Sequence, residues 1–126
     1  MTVEITFDTS QFREAMQRSP EAIGEGIQTA LKDIKNDWKA ESIDIAPQKS
    51  NTLRENIDGK IIGETIEMRA NAVRDGFNYA YYIHEDKGKA VTGEKKFLDV
   101  PAQENEDKWK RWLEEEIEKE LRKVGW

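Results

Sequence analysis

The only histidine, His84, sits in the run His84-Glu85-Asp86, three side chains of the types that bind metals or move protons. A metalloprotease-like helix needs a second histidine four residues on, so that both imidazoles reach one metal. None follows. Side chains of consecutive residues also diverge on a helix or strand. His84 therefore reads as a histidine that caps or hydrogen-bonds a loop. The sharper alternative is a hydrolase in which His84 works with a carboxylate. Gly88-Lys89-Ala90-Val91-Thr92-Gly93 begins like a phosphate-binding loop, but Glu94 stands where the phosphate-reading lysine belongs. An acid there repels the ligand. Gly24-Glu25-Gly26 lies in a helical pattern and has Thr29 where a dinucleotide motif needs its third glycine. Ser10, Ser19, Ser42 and Ser50 stand outside any nucleophile-elbow context. Glu114-Glu115-Glu116 reads as a solvated helix face. These residues lead to an expectation of no catalytic, cofactor-binding or metal-binding site and no enzyme activity.

Composition narrows the class further. The chain has 126 residues, a length that predicts one domain, 1–126, with a modest core. There is no cysteine, which removes disulfides, thiolate nucleophiles and cysteine-based zinc sites. Net charge is −6, with Lys and Arg interspersed among Asp and Glu. Nucleic-acid binders favour a basic patch, so no nucleic-acid specificity is expected. Four Trp, three Tyr and four Phe argue against disorder. No signal peptide is visible, and no apolar run approaches the roughly 20 residues of a membrane span. The expectation is a chain made in the cytoplasm and free of membrane.

The elements that would hold these residues follow from periodicity. Val3, Ile5 and Phe7 alternate with polar residues, predicting a half-buried strand. A short helix over 11–18 would place Phe12, Ala15 and Met16 on one face. Ser19-Pro20-Glu21 is a helix start, with Ser19 placed to cap an orphan N–H. Ile23, Ile27, Leu31, Ile34 and Trp38 then form one stripe of a long helix ending near Glu41 or Ile43, before Ala46-Pro47. Gly24 and Gly26 either permit close backbone packing or simply weaken the helix start. Gln48 to Thr52 reads as a polar loop, after which Leu53 re-enters the core. Strands are predicted at 56–62 and 65–71, joined at Gly63-Glu64. Ala72 to Gly76 reads as a turn, and Phe77 to Glu85 as strand or a helical turn. Asp86 to Lys95 is the clearest loop. Phe97-Leu98 returns to the core, and Pro101 opens a last helix with the stripe Trp109, Trp112, Leu113, Ile117, Leu121 and Val124. Trp126 docks on its own domain or on a neighbour. The whole is α+β: a small antiparallel sheet packed against a long helix in the N-terminal half and a C-terminal amphipathic helix.

Three segments occur in a fixed order. Ala46-Pro47 leads to Leu53-Arg54; Tyr79-Ala80-Tyr81-Tyr82-Ile83-His84-Glu85 follows; Lys96-Phe97-Leu98 and Pro101-Ala102 come last. In order and spacing they resemble the head–tail joining, tail-completion and minor-capsid proteins of tailed bacteriophages and prophages. The family's Thr-Gly before Leu-Arg is replaced by Asn51-Thr52, where Asn tolerates left-handed geometry. Asp86-Lys87-Gly88 replaces its Gly-Thr. The resemblance implies a structural protein of the neck or tail without a cofactor. Its partners would be connector, capsid or tail-tube proteins and further copies of itself in a ring, within the virion. Leu53, Arg54, Tyr79, Tyr82, His84, Glu85, Phe97, Leu98 and Pro101 carry the motif. Lys87 and Lys89 in the 86–95 loop, the sheet edges and Trp126 are candidate contact points. The alternative is a bacterial protein-binding or regulatory module unrelated to virions.

Overall fold

A computed structural model of the chain describes residues 2–46, 56–70, 73–74, 77–78 and 97–125, with 73–74 and 77–78 described by backbone alone. Strand β1 is Thr2–Thr6, and a 3-10 turn, Ser10–Phe12, leads into helix α1, Arg13–Arg18. Helix α2 is Pro20–Ile45, β2 is Ile57–Ile62 and β3 is Thr65–Ala70. Two short strands, β4 (Val73–Arg74) and β5 (Phe77–Asn78), precede helix α3, Asp99–Lys123. The expected α+β arrangement is present: a three-stranded antiparallel sheet with a long helix from the first half and a C-terminal helix.

β3 is central, in the order β1-β3-β2. The register sets Ile5 beside Ile66 and Ile61, and Val3 beside Met68 and Gly59. Side chains alternate across a strand, so these residues share the face toward the helices. The other face carries Thr6, Thr65 and Ile62 in one rung and Glu4, Glu67 and Lys60 in the next. Ile66, Met68 and Ala70 are buried, while Glu4 and Lys60 are exposed, as expected of a sheet covered on one side. Gly63 has φ of 59° in the two-residue β2–β3 connection, a conformation that favours glycine. The same end is tied to the start of α1. The Phe7 N–H donates to the Glu64 carbonyl at 3.0 Å, and the Thr9 hydroxyl donates to Glu64 Oε1 at 2.6 Å.

α2 buries its expected stripe of Ile23, Ile27, Leu31, Ile34 and Trp38, and runs two residues past the predicted limit. It stops where Ala46 turns extended (φ −60°, ψ 143°), the geometry a following proline imposes. Ser19 makes no side-chain cap; at φ −142°, ψ 64° it contributes its carbonyl to the Ile23 N–H instead. Of the apolar face of α1, Ala15 enters the core and Met16 does not. It is exposed at 36 %, because a six-residue helix meets α2 along a single line that Ala15 occupies.

α3 begins at Asp99, so Pro101 is its third residue rather than its first. The first turn tolerates this, since those N–H groups lack helical acceptors. Trp109, Leu113 and Ile117 are buried, and Trp112 and Leu121 are half-buried. Val124, expected in the stripe, is 51 % exposed because the helix has ended one residue earlier. The predicted 72–76 turn is also revised, as Val73–Arg74 pairs with Phe77–Asn78 in a two-stranded hairpin. The predicted loops at 48–52 and 86–95 and the segment 79–85 lie outside the described residues.

The two long helices are antiparallel. Gly26 meets Ile117 and Glu120, Asp37 meets Lys108 and Trp109, and Glu41 meets Asn105. α2 covers β2, with Lys35 against Gly59, while Leu113 and Lys110 of α3 border a groove shared with Ile5 and Phe7. A Cβ on Gly26 would lie 3.4 Å from the Ile117 Cα, so this glycine permits the close approach; at Gly24 the same position is open.

Candidate functional site

Phe97, Leu98 and Pro101 are the candidate residues the structure describes, and all three are buried within the chain's own core. Leu53, Arg54, Tyr79, Tyr82, His84, Glu85, Lys87, Lys89 and Trp126 lie outside the described residues. What the structure does show is where the segments that bear them attach. Helix α2 runs toward the start of β2: Lys35 packs on Gly59, and four residues later Lys39 bonds Asp58 at 3.3 Å. Ile57, which opens β2, pairs with Ala70, which closes β3. The Trp38 indole N–H donates to the Leu98 carbonyl at 2.8 Å. Ile45 and Pro101 line one shallow groove. Ala46, Ile57, Ala70 and Phe97 therefore gather at one end of the helix pair. All four are buried. The chain passes to residues 47–55 and 71–96 from that single end.

The same end is organised by two tryptophans and a polar seam. The Trp38 and Trp109 rings lie 5.9 Å apart at 43°, within the favourable range for tilted aromatic pairs. Both indole N–H groups have acceptors, because the Trp109 N–H donates to Asp37 Oδ2 at 2.8 Å. The same oxygen takes the Lys108 ammonium at 2.9 Å. Lys108 also lies over the Trp112 ring, 5.0 Å from its centroid. One turn along α2, Glu41 accepts from the Asn105 amide, which donates as well to the Pro101 carbonyl at 2.8 Å. Pro101, Asn105, Lys108 and Trp109 recur at helical spacing, so one stripe of α3 meets Asp37 and Glu41 of α2. Partial burial, then the nearby Asp37 charge, holds the Glu41 carboxyl above the usual carboxylate range. Lys108 and Asn105 oppose that rise.

The seam escaped sequence reasoning, although a signal existed. Asp37 and Glu41 are four apart and flank Trp38, while Asn105 and Lys108 precede Trp109 by four and one. The arrangement fixes the register of two helices and holds the Leu98 turn. Among the described residues no group of three His, Cys, Asp or Glu side chains could hold a metal ion. No described helix is long and apolar enough to cross a membrane.

The fold defines a class: an α+β protein with two antiparallel helices on one face of a three-stranded antiparallel sheet, and its longest connections issuing from one end. Compared with protein-family models, curated proteins and solved structures, the chain matches none.

Proposed function

We propose that the chain is a non-enzymatic structural subunit of tailed-phage or prophage virion assembly, joining head to tail as a neck or tail-completion component. Its work is protein–protein contact with connector, capsid or tail-tube proteins and with further copies of itself in a ring. On this reading it is made in the host cytoplasm and ends in the virion. One observation carries the reading. Ala46 and Phe97, the described positions that border the family-like segments in sequence, lie at one end of the helix pair, and both are buried together with Leu98 and Pro101. A core that holds contact-bearing segments on a rigid frame suits an assembly module, since binding residues concentrate on connections positioned by a scaffold.

The test is co-expression with the portal, connector and tail-tube proteins encoded beside its gene, read by affinity capture and negative-stain imaging. Ring-shaped co-assemblies are expected. A gene neighbourhood without portal, capsid or tail genes, or turnover of a small metabolite by the purified chain, would overturn the reading. The first result would favour a bacterial binding module.

A further inference from the structure

Both outer strands of the three-stranded sheet have an edge that is unpaired among the described residues. Each runs antiparallel to β3, so β1 and β2 run parallel to each other. A second copy, rotated about an axis along the strands, can therefore set its β2 beside β1 and continue the sheet head to tail. Repetition of such a heterologous contact closes a ring.

The two edges differ in charge at matching height. One outward rung reads Glu4, Glu67, Lys60. Glu67 is half-buried and takes the Lys60 ammonium at 3.4 Å. Glu4 faces Glu67 directly, and no cation among the described residues pairs with it. Like charges opposite one another destabilise an antiparallel pair. The hydrogen bond shared with Glu67, followed by burial and that carboxylate's charge, holds the Glu4 carboxyl above its usual range. A lysine on the open side of β1 would complete the rung. The same placement sets Ile62, 52 % exposed, beside the Thr6 rung, and Ile61 beside the Ile5 rung.

We propose that the β2 edge of one copy pairs with the β1 edge of the next, with Lys60 of the first facing Glu4 of the second. The proposal rests on the reading of the chain as an assembling subunit and specifies its self-contact.

The experiment uses the full chain and two variants, Glu4→Lys and Lys60→Glu, in light scattering to the solubility limit. Wild type is expected to associate. Each variant alone places like charges across every contact and is expected to associate about tenfold more weakly. An equimolar mixture of the two has opposite charges at every contact in alternation, and is expected to regain wild-type association. Glu4→Lys should also raise the monomer's melting temperature, by relieving Glu67, while weakening association; loss of folding would lower both. A mixture no stronger than its parts, or a wild type that stays monomeric to its solubility limit, would overturn the edge pairing. In either case, continued co-assembly of the chain with portal or tail proteins would leave the virion reading standing.

Discussion

The two ends of the helix pair are built differently. At the Gly26 end, α2 and α3 meet backbone to backbone, with Ile117 and Glu120 against a residue that has no side chain. Among the described residues no hydrogen bond joins α2 and α3 side chains there; close packing is supplemented only by the charge attraction of Glu25 for Lys123. At the Trp38 end two large rings fill the space, both indoles are hydrogen-bonded, and Asp37 and Glu41 reach across to Lys108, Trp109 and Asn105. The first end only has to keep two helices together. The second has to keep them together while four chain positions, Ala46, Ile57, Ala70 and Phe97, enter and leave. Directional bonds and large anchors stand where the longest connections attach, and glycine stands where none do.

Removing an anchor should break that contrast most severely. Trp38→Ala takes away a fully buried ring and the donor to the Leu98 carbonyl, and should cost about 3–5 kcal/mol in denaturant unfolding. Trp38→Phe keeps most of the volume and leaves that carbonyl without its donor, so about 1–3 kcal/mol is expected. Equal losses for the two variants would mean the hydrogen bond, rather than packing, governs this end. The opposite end is tested by overfilling. Gly26→Leu has no room beside the Ile117 Cα and the Glu116 carbonyl, and should cost about 1–3 kcal/mol. A neutral result would show that α3 can slide away from α2 there.

These differences were unequally legible in the sequence. The α2 stripe from Ile23 to Trp38 was plain, because burial on one face leaves a 3.6-residue rhythm. The β2–β3 hairpin was plain as well, because Gly63 interrupts two apolar runs. The seam was not, since the four-residue spacings of Asp37 with Glu41 and of Asn105 with Trp109 do not say which of these residues meet. Whether an aspartate faces water or an indole depends on where a tryptophan 72 residues away comes to rest. Strands β4 and β5, two residues each, are too short to show alternation. Val124 continued the apolar rhythm past the point where the helix stops, as rhythm alone does not mark an end. Of the candidate site, Phe97 and Leu98 were legible as core residues, whereas Pro101 was legible only as a helix start. Their closeness to Ala46 was not, because it follows from the antiparallel register of the two helices.

Within the seam, Asp37→Ala removes the acceptor of the Trp109 N–H and the partner of Lys108. It should cost about 1–2 kcal/mol by chemical denaturation. Asp37→Asn keeps an acceptor for the indole and should cost about half as much. A loss confined to the alanine variant would assign the effect to the indole bond, and equal losses would assign it to the Lys108 ion pair.

The smallest effect expected is at Glu41, and it has a sign that pH can read. Its carboxyl titrates above the unfolded value, mainly because it is partly buried and then because Asp37 is near. A group with a raised folded pKa contributes stability that is fully present below the unfolded pKa, and that contribution is lost as pH rises through the folded value. Wild type should therefore lose part of Glu41's contribution between about pH 4 and the raised midpoint. Glu41→Gln does not titrate and can still accept the Asn105 amide. It should melt about 1–2 °C above wild type at pH 7 and level with it near pH 4. The reverse order at pH 7 would mean that Lys108 and Asn105 favour the charged carboxylate more than burial and Asp37 oppose it. The seam would then be an ion-pair network across both helices rather than a single ion pair beside a carboxylate whose charge its surroundings oppose.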